Sequence, residues 1–295
     1  MQVLLNDKDI TSKIKLINAE YKDRTCCQSD ELYISKTSSY VEFKKNDAIE
    51  FVVNQISSGS MYISKIEEQR DMQDINCYAY PLKALSPITK TYEQITFMEL
   101  LLEATKELGG YALQNISCVN AIYRRFDRIK LNTIGLLENL CLRESCDFKL
   151  FNHKIVITND TIINSQPIVT IIPAEPPRFI SDDSGLVRSV SVEYYDGDNV
   201  HKDKVASSCT YGTELYIDDV PVYSGGEAHR LATGIAYRRN RTEYTMSVCC
   251  DSNQRICAGN RMIIQGYETR GTFAVTEVCY SYSRKQLYCT GRRLV

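Results

Sequence analysis

The chain has 295 residues, a formal net charge of −2, 24% charged residues and 43% hydrophobic ones, the make-up of a globular protein long enough for two or three domains. Near-neutral charge gives no electrostatic case for nucleic acid or an anionic membrane as partner. No apolar run approaches the roughly 18 residues of a membrane span, and "MQVLLNDKDI" lacks the basic head and apolar stretch of an export signal, so no stable membrane insertion is expected and a cytoplasm is the expected site of synthesis and assembly. In that compartment the twelve cysteines are expected to be reduced.

The first 85 residues read as strands. "SKIKLINAEY", "DELYISK" and "YVEFKKNDAIEFVV" alternate apolar and polar positions, and the polar "KKND" marks a hairpin turn. "GSMYISKIEEQRDMQDINCYAY" alternates through Met61 and Ile63, breaks, and resumes at Ile75 and Cys77. This predicts an antiparallel β module over 1–87.

After Pro87 the pattern changes. "TFMELLLEATKELGG" predicts a helix with Thr96 as cap, Glu99 completing a capping box, and Gly109 and Gly110 as the left-handed stop. A second helix is predicted in "NTIGLLENLCLRES", with Asn132 or Thr133 as cap, followed by two short strands around Asn152 and His153. Residues 88–160 are thus expected to form a small α/β module. Pro167, Pro173, Pro176 and Pro177 make 161–185 a connector or sheet edge, because proline cannot donate into a central strand. From 186 to 295 the chain is β again, with a hairpin turning at 196–199 and one helix in "GGEAHRLATGIAYRRNR".

The segment from Gly59 repeats from Gly271 at an offset of 212. Met61 meets Phe273, Ile63 meets Val275, Ile75 meets Leu287 and Cys77 meets Cys289. Upstream, the turns "KND" and "GNR" align at an offset of 214, Asn46 with Asn260 and Ile49 with Ile263. The expected architecture is therefore mainly β (α+β): two tube-like antiparallel β-barrel modules with the α/β module inserted between them.

No motif for chemistry stands out. Cys249, Cys250 and Cys257 are poorly spaced for tetrahedral zinc, since strand neighbours point to opposite faces, and are read as core residues. Cys141, Cys146 and His153 form a looser metal candidate, but Cys141 lies on an apolar helix face. His153, His201 and His229 are far apart in sequence. "YRRFDR" and "YRRNR" are short basic clusters, too isolated to specify nucleic acid. No catalytic, cofactor or metal residue is expected. The positions singled out are the turn residues of the repeated module, Asn46, Gly59, Asn260 and Gly271.

Three stretches resemble the baseplate hub proteins of contractile phage tails and related injection machines: the phage late control protein D family, the Mu-like tail hub, and the hub part of type VI secretion spikes. The opening "ITSKIKLINAEYKDRTCCQSDELYIS" is similar to the family's first strand pair. "FKKNDAIEFVV" and the following "GSMYISKI" resemble its "K-G-D" turn and "G-x-F-x-I-x-x-I" strand, with Asn46 in place of glycine. The middle resembles the family's inserted domain but lacks its usual "Q-x-x-x-S-D". "EAHRLATGIAYRRNR" through "GTFAVTEVCYSY" resembles the last segment, with Asn260 where aspartate is usual. The resemblance implies a homotrimeric, pseudo-sixfold ring between a threefold spike and a sixfold tail tube, in a phage tail or tail-like bacteriocin assembled in a bacterial host. Implied partners are the spike, a tube or tube-initiator protein, the tape-measure protein and baseplate wedge proteins. A peptidoglycan- or carbohydrate-binding tail module, and a cell-wall hydrolase, are the alternative readings.

Overall fold

The computed structural model describes residues 1–37, 40–53, 56–114 and 120–294. The N-terminal third forms β1 (Gln2–Leu5), β2 (Lys8–Asp9), β3 (Leu16–Arg24), β4 (Gln28–Ser29), β5 (Glu31–Thr37), β6 (Ala48–Val53), β7 (Ile56–Ser57), β8 (Met61–Gln69) and β9 (Met72–Tyr78). The alternation read from sequence is the alternation of burial: Ile49, Phe51, Met61, Ile63, Ile75 and Cys77 all point into the core, as the two-residue period of a strand requires.

The middle third holds β10 (Ile88–Thr96), α1 (Phe97–Glu107), β11 (Ala112–Gln114), β12 (Ile122–Leu131), α2 (Thr133–Arg143), β13 (Asp147–Phe151), β14 (Lys154–Thr158) and α3 (Asp160–Asn164). Thr96 caps α1 through a capping box: its hydroxyl accepts from the Glu99 amide at 3.2 Å, and the Glu99 carboxylate accepts from the Thr96 amide at 2.8 Å. Gly109 and Gly110 follow in the left-handed region, at φ +98° and +93°. Asn132 caps α2, accepting from the Gly135 amide at 2.7 Å. β10 and β12 pair as a ribbon, and β11, β14, β13 and β4 form a four-stranded sheet.

The last third holds β15 (Ile168–Ile171), β16 (Arg178–Ser181), β17 (Val187–Asp196), β18 (Asn199–Ala206), β19 (Thr213–Ile217), α4 (Gly225–Asn240), β20 (Tyr244–Asp251), β21 (Arg261–Ile264), β22 (Phe273–Ser281) and β23 (Gln286–Arg293). The proline-rich stretch supplies β15 and β16, each paired with one strand among the described residues.

The chain is mainly β, with 49% of it in strands, but neither expected barrel closes. The strands form one 14-stranded sheet running β16-β20-β23-β22-β3-β5-β9-β8-β6-β1-β2, with β21 and β15 branching from β22 and β7 from β6. Closure fails because β22 turns its second half to another partner. Phe273 and Ala274 pair with β21, whereas Glu277–Ser281 pair with β3. β17, β18 and β19 make a separate three-stranded sheet with its own small core, built from Val190, Val192, Leu231 and Ala232 against α4.

Candidate assembly interface

The same turn is built twice. In the first copy the Asn46 amide donates to the Ile63 carbonyl at 2.7 Å, and the Ile63 amide donates to the Asp47 carbonyl at 3.0 Å. The Lys44 amide donates to the Asp47 side chain at 2.9 Å. In the second, the Gly259 amide donates to Val275 at 2.8 Å, the Val275 amide to the Asn260 carbonyl at 2.9 Å, and the Cys257 amide to the Asn260 side chain at 2.9 Å. Asp and Asn serve alike because each offers a side-chain oxygen to a nearby amide.

This geometry fixes the repeat one residue away from the sequence alignment. Asn46 corresponds to Gly259, both at positive φ (+69° and +92°), and Asp47 corresponds to Asn260. Ile49, fully buried, corresponds to fully buried Met262 and not to half-buried Ile263. Two asparagines of matching identity misled the alignment, whereas the pleat admits no one-residue slip without turning core residues outward. The offset of 212 holds for β8 and β22, down to a register break between Ile63 and Lys65 and between Val275 and Glu277, but not for the strands after them. Ile66 pairs with Ile75 and Val278 with Cys289, so Ile75 corresponds to Cys289 and Cys77 to Gly291, an offset of 214 that arises because the turn between β22 and β23 is two residues longer.

Gly59 and Gly271 both lie at positive φ, +64° and +97°. A Cβ on Gly59 would lie 2.7 Å from the Asn152 Cβ, whereas on Gly271 the nearest atom would be the flexible Arg293 Nε at 3.3 Å. Gly59 is therefore where the first β copy touches the β13–β14 turn. His153 in that turn shares a hydrogen bond with the Tyr62 hydroxyl at 2.9 Å and meets the Tyr111 ring edge-on.

The two copies join in the chain where β22 meets β3. Glu277 pairs with Arg24, Val278 with Asp23, Cys279 with Lys22 and Tyr280 with Tyr21. Arg24 bonds Glu277 and Glu31, each at 2.6 Å, and the Tyr21 and Tyr280 rings stack at 5.8 Å. Beneath this seam lies a buried ionic cluster that the sequence did not reveal. Asp23 accepts from the Ala258 amide at 3.0 Å and pairs with Lys149 of β13. Asp30 accepts from the Tyr21 hydroxyl at 2.6 Å and the Arg24 amide at 2.9 Å. Burial, and then the charge of Asp23, raise Asp30 to about 7. Burial acts to lower Lys149, but Asp23 and Asp30 outweigh it and hold the ammonium above its ordinary value. One cluster thus ties both β copies to the inserted module.

Other candidates resolve into packing. Cys249 and Cys250 are buried, but Cys257 is exposed, because it belongs to the turn and not to a strand. Cys141 and Cys146 lie in the core. Among the described residues no group of three or more His, Cys, Asp and Glu side chains is placed to hold a metal ion. The basic clusters are partly turned inward: Arg128 is buried against Glu107 at 2.7 Å, and Arg241 bonds Asp147 at 2.8 Å. His229 is exposed and meets Asp203 at 3.1 Å.

No protein-family model and no curated protein matches the chain. Solved structures do. A tail protein from Neisseria meningitidis MC58 superposes with a TM-score of 0.76 at 10% identity, over 99% of this chain and 95% of that one. The 43 kDa tail protein of prophage MuSo2 from Shewanella oneidensis gives 0.75 at 10% identity, over 99% and 98%. This chain has a phage tail protein fold. The tail fold also occurs in an Escherichia coli component of the type VI secretion system, at a TM-score of 0.66 and 11% identity, over 99% of this chain and 76% of that one. At identities this low the superposition shows a shared tail fold with few residues held in common.

Proposed function

We propose that this chain is a structural hub of a phage tail or tail-like particle. Three copies form a ring of six similar β modules, which adapts a threefold spike to a sixfold tail tube. The ring-forming modules are 1–87 and the large-sheet strands of 161–295, with 88–160 inserted between them. The observation that carries the reading is the duplication itself: one turn and one register break recur in a single chain of tail-protein fold. A repeated module gives a direct means of symmetry matching, because two similar surfaces per chain make six in a closed trimer.

On this reading the chain has no catalytic residue, and Asn46, Gly59, Asn260 and Gly271 shape the modules. Its partners are the spike, the tube or its initiator, the tape-measure protein and the baseplate wedge, met in the cytoplasm of a bacterial host. Native mass spectrometry of the purified protein tests it. A species of three times 33.7 kDa, seen as a ring by electron microscopy, is the expected result. A chain that stays monomeric at every concentration, alone and with its spike, overturns it.

A further inference from the structure

The hairpins β8–β9 and β22–β23 are the same element of the duplicated module, β8 corresponding to β22 and β9 to β23. They leave the sheet in the same direction. β22, β3, β5, β9 and β8 pair antiparallel in turn, so β8 runs the way β22 does. Their outer ends differ in charge. Residues 67–74 hold Glu67, Glu68, Asp71 and Asp74 against Arg70, a net −3, whereas the corresponding 279–288 hold Arg284 and Lys285, a net +2. Glu67, Glu68, Asp71, Arg284 and Lys285 are all exposed. The segments that enter the same two strands at their other ends, 56–60 and 268–272, show no such contrast. The first has no charged residue, and in the second Glu268 and Arg270 cancel.

We propose that the hairpin end of the module seats a threefold-symmetric partner, which sets basic groups against β8–β9 and acidic groups against β22–β23. The proposal rests on the hub reading and adds to it which end of the ring faces the spike. In a closed ring of three copies, six such hairpins stand at one end, alternately acidic and basic.

A sixfold tube presents the same residues to all six hairpins. Whatever charge it brings, three contacts are favourable and three set like charges together, which opposes binding. A threefold protein presents two different surfaces to successive hairpins, and so can meet each sign with its opposite. The neutral end of the strands makes no such distinction, and is the end left for the tube. Attraction between neighbouring hairpins is a weaker account of the same pattern. β3 and β5 stand between β22 and β9, which is three strand spacings or about 14 Å. That exceeds the Debye length of ~8 Å at physiological ionic strength, so exposed charges on the two hairpins are largely screened from each other. The alternation therefore acts on what docks against it at contact distance.

The test uses the full chain with the purified spike and tube proteins of its own particle, and measures each affinity by sedimentation. Glu68→Lys with Asp71→Lys makes all six hairpins basic, and Arg284→Glu with Lys285→Glu makes all six acidic. The four changes together restore the alternation, moved round by one hairpin. All alter exposed side chains, so the fold should survive, which circular dichroism checks. Each pair of reversals is expected to weaken spike binding about tenfold or more, and the fourfold variant to recover it to within about threefold. Tube binding should stay within about threefold throughout. Spike binding by the unaltered ring should fall as ionic strength is raised. Spike binding that ignores both pairs of reversals, or tube binding that responds to them more strongly, overturns the assignment of ends while leaving the hub reading intact. Failure of the unaltered protein to assemble at all, alone or with its spike, overturns the ring itself.

Discussion

Asn46 and Gly259 occupy the same position in two copies of one turn, with amides that donate to Ile63 and Val275 at 2.7 and 2.8 Å. Both backbones are left-handed, a region open to glycine and tolerated by asparagine but costly for β-branched residues. A Cβ on Gly259 would meet nothing within 4 Å, so the cost of substitution there is conformational. Gly259→Asn should lose about 1 kcal/mol or less, and Gly259→Val about 2–3 kcal/mol. Urea unfolding of the two variants checks the order.

The two equivalent glycines should not be equally sensitive. Gly59→Ala places a methyl group 2.7 Å from a Cβ on another turn, whereas Gly271→Ala meets only the movable end of Arg293. Overpacking adds to backbone strain in the first case alone. The expected losses are about 3 kcal/mol and about 1–2 kcal/mol respectively. Equal thermal shifts would mean that the contact between Gly59 and Asn152 yields freely.

Arg143 of α2 and Glu227 of α4 form an ion pair with side chains 3% and 0% exposed. Desolvation pushes the Glu227 carboxyl up, with Arg143 opposing. Removing one charge strands the other, so Glu227→Ala should cost about 3–5 kcal/mol, while exchanging both for apolar residues of similar volume should cost much less. Denaturant midpoints of Glu227→Ala and of Arg143→Met with Glu227→Leu give the comparison.

Asp30 should impose a pH dependence. Its pKa rises from 3.8 in the unfolded chain to about 7 in the fold, so between these values the folded state binds the extra proton. The group's contribution is complete below about pH 4, declines as pH rises, and is gone once pH passes through about 7. Relative to Asp30→Asn, the unaltered protein should lose stability on the order of 1 kcal/mol per pH unit across that window, and no more above it. Urea midpoints of both proteins from pH 4.5 to 8.5 measure the difference. A constant difference would mean that Asp30 does not titrate there.

What the sequence made legible was local. Alternation marked the buried positions from Ile49 to Cys77, Thr96 and Glu99 marked the start of α1, and the recurrence of glycine and alternation marked the duplication, whereas the matching of Cys77 with Cys289 was a coincidence two positions out of register. What it hid depends on residues far apart in the chain. Nothing near Glu277 announces that it will lie against Arg24, and this seam is why two expected barrels became one sheet. Nothing near Lys149, Arg128 or Arg143 announces that they will be drawn inward, because their partners, Asp23, Glu107 and Glu227, lie 21 to 126 positions away. In the turn, the identity of two asparagines outweighed the rarer signal, a backbone conformation shared by an asparagine and a glycine.

The duplicated modules also differ in the strand laid beside β6 and β21. β1 runs antiparallel to β6, whereas β15 runs parallel to β21. Chain polarity therefore labels every second module of the proposed ring, although the strands beneath repeat at each. A sixfold neighbour resting on the repeated strands would meet six like seats. A threefold neighbour touching the outer strands would find three landmarks, and could settle in only three equivalent orientations.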